Sequence, residues 1–332
     1  MLSWLRTRSR RDLVLAVLVA GGFAVIVGTI VVQRVDAGHA HGLHVTRYAS
    51  GSVAYDRAFD VGSTGRLDVQ LGDVDLRIRS TGAREARVVL HMDGEAVDAE
   101  AVLADMGFRV ETSAGELRIR EDSEEGWSDW DDAYDELEMT LDVTVPRGFD
   151  VVARTGDGDV AVASFEGTVE VQTGDGDIAI VDAGGSAVRL QTGDGNVALS
   201  GAARGDVSIQ TGDGDVAVGR VAGSLEARTG DGDIHIQELS GELRASTGDG
   251  DVRVTLARFE GLEIRTGDGD VTIYADPSIR ADVDLSGGDF ILGDAFALPA
   301  QLDSHRLEGA LNGGGARLSV RVGDGTIRLV ER

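Results

Sequence analysis

The motif Thr-Gly-Asp-Gly-Asp-Val/Ile occurs seven times, starting at Thr155, Thr173, Thr192, Thr211, Thr229, Thr247 and Thr266. One copy departs from it at the second acid, where Asn196 stands for Asp. Self-similarity at so even a spacing predicts a solenoid in which each repeat is one coil stacked on the last. Stacking brings equivalent residues into columns. The first acid of the motif gives Asp157, Asp175, Asp194, Asp213, Asp231, Asp249 and Asp268. The second gives Asp159, Asp177, Asp215, Asp233, Asp251 and Asp270, with Asn196 in its middle.

The text around the motif supplies two strands per coil. Before the Thr, apolar or small residues alternate with polar ones, as in Val169-Glu-Val171-Gln-Thr173 and Val188-Arg-Leu190-Gln-Thr192. Val, Leu, Ile and the Thr should face inward, and Glu170, Gln172, Arg189 and Gln191 outward. After the corner a second inward pair recurs, such as Ile178/Ile180 and Val216/Val218. A second corner carries Gly167, Gly185, Gly205, Gly223, Gly241 and Gly261. The fold class this predicts is all-β, a parallel β-helix (β-solenoid) of about 18–19 residues per coil, preceded by one N-terminal transmembrane helix. An antiparallel meander also alternates, but it does not require one invariant corner per period.

The N-terminal helix is read from an uncharged run over 13–32 that follows Arg6, Arg8, Arg10 and Arg11. About 20 residues at 1.5 Å rise cover about 30 Å, one hydrocarbon core. The basic flank belongs in the cytoplasm, which puts the rest outside. This divides the chain into a cytoplasmic tail (1–12), a transmembrane helix (13–32), a linker (33–57), N-terminal β-rich coils (58–150) and the repeat solenoid with C-terminal coils (151–332). The expected location is the cell membrane, single-pass, with the C-terminal part extracytoplasmic. A cleavable signal peptide is the rival, although its apolar region is normally about 7–15 residues.

Within 58–150, Leu67/Val69/Leu71 and Leu76/Ile78 alternate as half-buried strands. Gly72-Asp73-Val74-Asp75 is a faint early echo of the motif. One helix is expected over about 96–106, burying Val97, Ala101, Val102 and Met106. An acidic run over 121–136 carries Trp127, Trp130 and Tyr134, and reads as a solvated loop or a contact loop. His39, His41 and His44 in the linker are solvated residues or a metal-binding cluster. Ala281 to Leu298 loses the motif, keeping only Ser286-Gly-Gly-Asp289, and reads as an irregular coil or a cap.

Charge sets the function classes. The net charge is −27, every base is Arg, and Cys is absent. Nucleic acid is excluded as a partner. Cations, basic polymers and basic protein faces fit, and no thiolate chemistry is available. Within the Asp columns, two carboxylates one coil apart repel by about 1 kcal/mol in water and about 3–4 at an effective dielectric of 20. Exposure, neighbouring Arg154, Arg228 and Arg265, or bound cations would relieve this. Two readings stand. Asp can serve the corner by accepting backbone N–H groups, or the first column (Asp157, Asp175, Asp194, Asp213, Asp231, Asp249, Asp268) can hold Ca2+ or another divalent ion. No other cofactor is implied.

The chain resembles the bacterial adhesin family of β-strand-repeat proteins, domain of unknown function 4097. The resemblance rests on the repeated motif, on Val145-Pro146-Arg147-Gly148, on Leu311-Asn312-Gly313-Gly314-Gly315, and on Asp324-Gly325-Thr326-Ile327. It implies a parallel β-helix on a membrane-anchored extracytoplasmic protein, with no catalytic residues. The function expected is a non-enzymatic, adhesin-like surface or envelope binding module with an envelope protein or polymer as ligand. The alternatives are an accessory or sensor protein in envelope-stress signalling and a calcium-stabilised structural repeat. An enzyme is disfavoured, because a catalytic site should be a local exception and these Asp residues are the repeat itself. His235 and His305 sit in no nucleophile or metal motif.

Overall fold

The structure is a computed structural model. It describes residues 52–94, 98–122, 137–185, 187–296, 298, 300–303 and 305–332. Alternating apolar residues form strands that pair in parallel with the strand one coil away. Each pairing sets inward apolar residue over inward apolar residue. β8 (Gly148–Arg154), β10 (Val169–Gln172), β12 (Ala187–Gln191) and β14 (Asp206–Gln210) stack on one face, with Val169 beside Val188 and Leu190 beside Ile209. β9 (Val160–Phe165), β11 (Ile178–Ala183) and β13 (Val197–Ala203) stack on the other, with Ile178 between Val160 and Val197. In β15 (Val216–Arg228), β16 (Ile234–Ser246) and β17 (Val252–Thr266) one strand runs through the second corner and serves both faces.

The core is the space between the faces. Val171, Leu190, Ile209, Ala227, Ala245 and Ile264 form one inward column, and each is at most 4% exposed. Each fully buried Val, Ile or Leu contributes about 1.5–3 kcal/mol, so the stack is held chiefly by these columns. The outward neighbours Gln172, Arg189, Gln191 and Arg244 are exposed.

Both ends interrupt the simple order. β2 (Thr64–Gln70) and β3 (Asp75–Thr81) form one coil. The chain then leaves through β4 (Glu85–Asp93), α1 (Ala99–Asp105) and β5 (Arg109–Ser113), and returns as β6 (Glu116–Arg120) and β7 (Glu138–Pro146). β2 lies between β6 and β8, and β3 between β7 and β9, so the chain steps over its first coil to begin the repeats. β1 (Ser52–Asp60), β4 and β5 pair antiparallel at this end.

The far end mirrors this. β18 (Val271–Ala275) completes the seventh motif coil. The chain then forms β19 (Ala281–Ser286), β20 (Asp289–Leu292), β21 (Ala300–Asp303) and β22 (Arg306–Leu311). β23 (Ala316–Val322) and β24 (Thr326–Glu331) then enter the stack, β23 between β17 and β19 and β24 between β18 and β20.

The fold class needs one correction. The described residues form a solenoid-like β sheet with one short helix, and the expected transmembrane helix finds no support among them. Among the described residues no helix is long and apolar enough to cross a membrane, and the helix present is the seven-residue α1. The segment 13–32 lies outside the described residues, as do His39, His41, His44, Trp127, Trp130 and Tyr134. Strand β1 starts at Ser52, inside the stretch expected as linker, because it pairs along β4. Helix α1 starts later than the expected 96, where Asp98 caps it by accepting the N–H of Glu100 at 3.1 Å.

Candidate functional site

The corner between the two faces carries the motif, and each motif residue has a separate task. The Thr side chains point inward and are buried, between 4% and 9% exposed. Each hydroxyl lies within reach of two carbonyls of the preceding coil. Thr173 Oγ1 is 2.9 Å from Gly156 O and 3.0 Å from Gly158 O, and Thr192, Thr211, Thr229, Thr247 and Thr266 repeat the pattern. In several coils the same oxygen accepts the N–H of the second Gly, as Thr211 does from Gly214 at 3.3 Å. A hydroxyl can donate and accept at once, so one Thr satisfies backbone on both sides of the corner.

The glycines are required by close approach. None of the motif glycines has a positive φ, contrary to the turn chemistry that Gly usually marks. A Cβ on Gly176, Gly195, Gly214, Gly232 or Gly250 would instead meet the carbonyl oxygen of the equivalent Gly one coil below, well under 3.0 Å. The first glycines are linked N–H to O=C from coil to coil, from Gly72–Gly156 at one end to Gly267–Gly323 at the other.

The second acid of the motif forms an unbroken ladder. Asp159 N donates to Asp75 Oδ1 at 3.0 Å, Asp177 N to Asp159, Asn196 N to Asp177, and Asp215 N to Asn196 Oδ1 at 2.9 Å. Asp233, Asp251 and Asp270 continue it, and Thr326 N closes it on Asp270 Oδ1 at 2.8 Å. Each carboxylate is thus tied to the N–H of the residue stacked above it. Asn196 fits because the position needs an acceptor oxygen, which an amide also supplies.

The first column is exposed throughout, from Asp157 to Asp268. At its lower end Asp157 N donates to Asp73 Oδ1 at 3.0 Å, Asp175 N to Asp157 at 3.2 Å and Asp194 N to Asp175 at 3.3 Å. Asp73 and Asp75 therefore found both columns, and Asp324 extends the corner beyond the seventh repeat. The echo at Gly72-Asp73-Val74-Asp75 is the sequence signal for the lower end.

Charge is relieved by backbone N–H groups along the second column, by Arg253 at Asp251 and Arg328 at Asp270, and by exposure along the first. The flanking arginines do not take part. Arg154 pairs with Glu170 at 2.7 Å, Arg228 with Glu226 and Arg265 with Glu263, all on the adjoining face. Among the described residues no three His, Cys, Asp or Glu side chains come close enough to share a metal ion.

Asp270, Asp206 and His235 have environments that shift their titration. Hydrogen bonds from the Arg328 guanidinium and the Thr326 N–H hold the Asp270 carboxyl below the usual range. The Ser224 hydroxyl and N–H do the same for Asp206 at the second corner. Burial, helped by the Arg253 charge, pushes the His235 imidazole down, and its Nδ1 meets no partner among the described residues.

The sequence profile of the family described as Toastrack DUF4097 matches residues 64–330. No curated protein matches the chain, whereas solved structures do. A candidate lipid-binding protein from Parabacteroides distasonis is similar at 13% identity and a TM-score of 0.43, over 83% of this chain and 96% of that one. A candidate adhesin from Bacteroides fragilis is similar at 12% identity and a TM-score of 0.36, over 85% and 99%. A candidate adhesin from Parabacteroides merdae follows at 11% identity and a TM-score of 0.26, over 84% and 95%.

Proposed function

The chain belongs to the Toastrack family, domain of unknown function 4097, and from that premise we propose that it is a non-enzymatic, adhesin-like binding module. The ligand is a polymer or protein surface lying along the stack. The observation that carries this reading is the register from coil to coil, which sets each outward position into a row of side chains running along the stack. A line suits an extended partner, since weak contacts repeated at one spacing add along its length. A catalytic centre needs a convergent, singular arrangement instead. The motif acids repeat from coil to coil, those of the second column are tied to backbone N–H groups, and those of the first are exposed.

The test is retention of the protein on immobilised poly-lysine, polygalacturonate, dextran, mannan and lysozyme, with soluble products assayed in parallel. We expect saturable retention on at least one of them and no cleavage of any. Failure to bind any, or release of shortened chains, would overturn the reading.

A further inference from the structure

One outward row of side chains differs from the rest of this acidic molecule. It starts at Arg109 on β5 and passes Arg120 on β6, Gln70 on β2 and Arg154 on β8. Gln172, Gln191 and Gln210 follow in successive coils. The row continues through Arg228, Ser246 and Arg265 to Arg321, Ser286 and Arg306. None of these thirteen positions is acidic, in a chain whose 58 acids outnumber 31 bases, and the acid-free stretch ends where Arg306 pairs with Asp303 on β21. At about 4.8 Å per strand the row is on the order of 60 Å long. Every member is exposed or half-exposed.

The row is rich in N–H donors, yet it is not a cationic patch. Its guanidiniums pair with acids of the next row, Arg154 with Glu170 at 2.7 Å and Arg306 with Asp284 at 3.0 Å. At its β5 end the surface sinks into a cavity of about 290 Å³ whose lining includes Gln70, Arg109, Glu111, Arg118, Arg120 and Glu121. That is about ten water volumes. Arg118 gives one terminal N–H to Glu116 at 2.8 Å, while its Nε–H is buried and meets no acceptor among the described residues. A buried donor without an acceptor is costly until one arrives.

We propose that this row is the track for a neutral, hydroxyl-rich glycan chain, with the Arg118 cavity holding one of its sugar units. The inference rests on the adhesin-like reading and names its ligand class. A polyanion would bring charge beside the Asp columns of a −27 chain, and a polycation would have to break the ion pairs in which Arg154 and Arg306 already occupy the flanking acids. A sugar hydroxyl avoids both costs, because it accepts from Arg or Gln and donates to the flanking Glu or Asp without adding charge.

Binding of dextran, mannan and a soluble β-glucan is measured beside poly-lysine and polygalacturonate. The variants are Arg118→Met and the triple change of Gln172, Gln191 and Gln210 to Ala, each checked for an unchanged melting temperature. A neutral glycan should bind with little change between about 0.05 M and 0.5 M salt. Arg118→Met should weaken it several-fold, and the triple change at least about tenfold. If only poly-lysine or polygalacturonate binds, or if both variants bind the glycan like the parent, the glycan track is wrong and the adhesin-like reading stands. If nothing binds, both fall.

Discussion

At the residue scale, the corner is a hydrogen-bond device that happens to carry charge. Thr211→Val keeps the shape of the side chain but takes the hydroxyl from the Gly195 carbonyl, while the Gly193 carbonyl still accepts the Gly212 N–H. It should cost about 1–3 kcal/mol in urea unfolding, and a loss below about 0.5 would mean that water replaces the hydroxyl freely. Asp215→Asn is the opposite case. The amide at Asn196 already fills this position, so the change should be neutral or stabilising by a few tenths, since it also removes a like charge. Asp215→Ala should cost about 1 kcal/mol, because the N–H of Asp233 then loses its acceptor. His235 adds a pH effect. Its folded-state affinity for a proton lies below that of the unfolded chain, so the unfolded state binds more protons once pH falls below about 6.5. Stability should therefore decline as pH drops from 7 through 6, and His235→Gln should flatten that slope. Part of this was legible beforehand. Asn196 within an Asp column hinted that an acceptor, not a charge, was required. The reason for the glycines was not, because close approach between coils depends on stacking distance and leaves no mark distinct from a turn.

At the element scale, the seven coils could be read from the sequence because each repeats its own pattern, whereas the ends could not. β23 and β24 enter the stack between elements formed earlier in the chain, and a regular repeat says nothing about a strand that returns after a long excursion. The same holds where β6 and β7 sit outside β2 and β3. The chemistry that locks the returning strand is specific. Arg328 donates to Asp270 at 2.6 Å, and Thr326 N donates to the same carboxylate. Because those bonds hold the Asp270 carboxyl below its usual range, they stabilise the fold above the ordinary value near about 3.9 and are lost as pH falls through the lower folded-state value. Hydrogen exchange across β24 should therefore accelerate in acid before that of β10 or β12. Asp270→Asn keeps the acceptor for Thr326 but loses the Arg328 ion pair, and should speed β24 exchange already at pH 7. Equal rates in parent and variant would show that the ion pair adds nothing to docking.

At the scale of the whole molecule, stability is close to a sum of coils and interfaces, with special terms at the ends. Two deletions of nearly equal length separate these contributions. Removing 206–223 excises one full coil and joins Gly205 to Ser224, whose register is that of Asp206. β12 then meets the next coil with Val188 beside Leu225 and Leu190 beside Ala227, still apolar on apolar. The smaller Ala leaves some of the Ile209 volume unfilled, so the shortened chain should fold, remain soluble and lose a few kcal/mol. Removing 316–332 takes away β23 and β24. That strips β17 and β18 of their upper neighbours, leaves β20 without its partner and leaves β19 with only the antiparallel β22. Exposed parallel edges with buried-type residues such as Leu262 and Ile264 invite pairing with other chains. This truncation should aggregate, or elute on size exclusion as mixed oligomers, while the coil deletion elutes as one species. If the coil deletion proves the more damaging of the two, stability resides in the continuity of the Asp and Thr ladders along the stack, and the returning C-terminal strands act only as a cover.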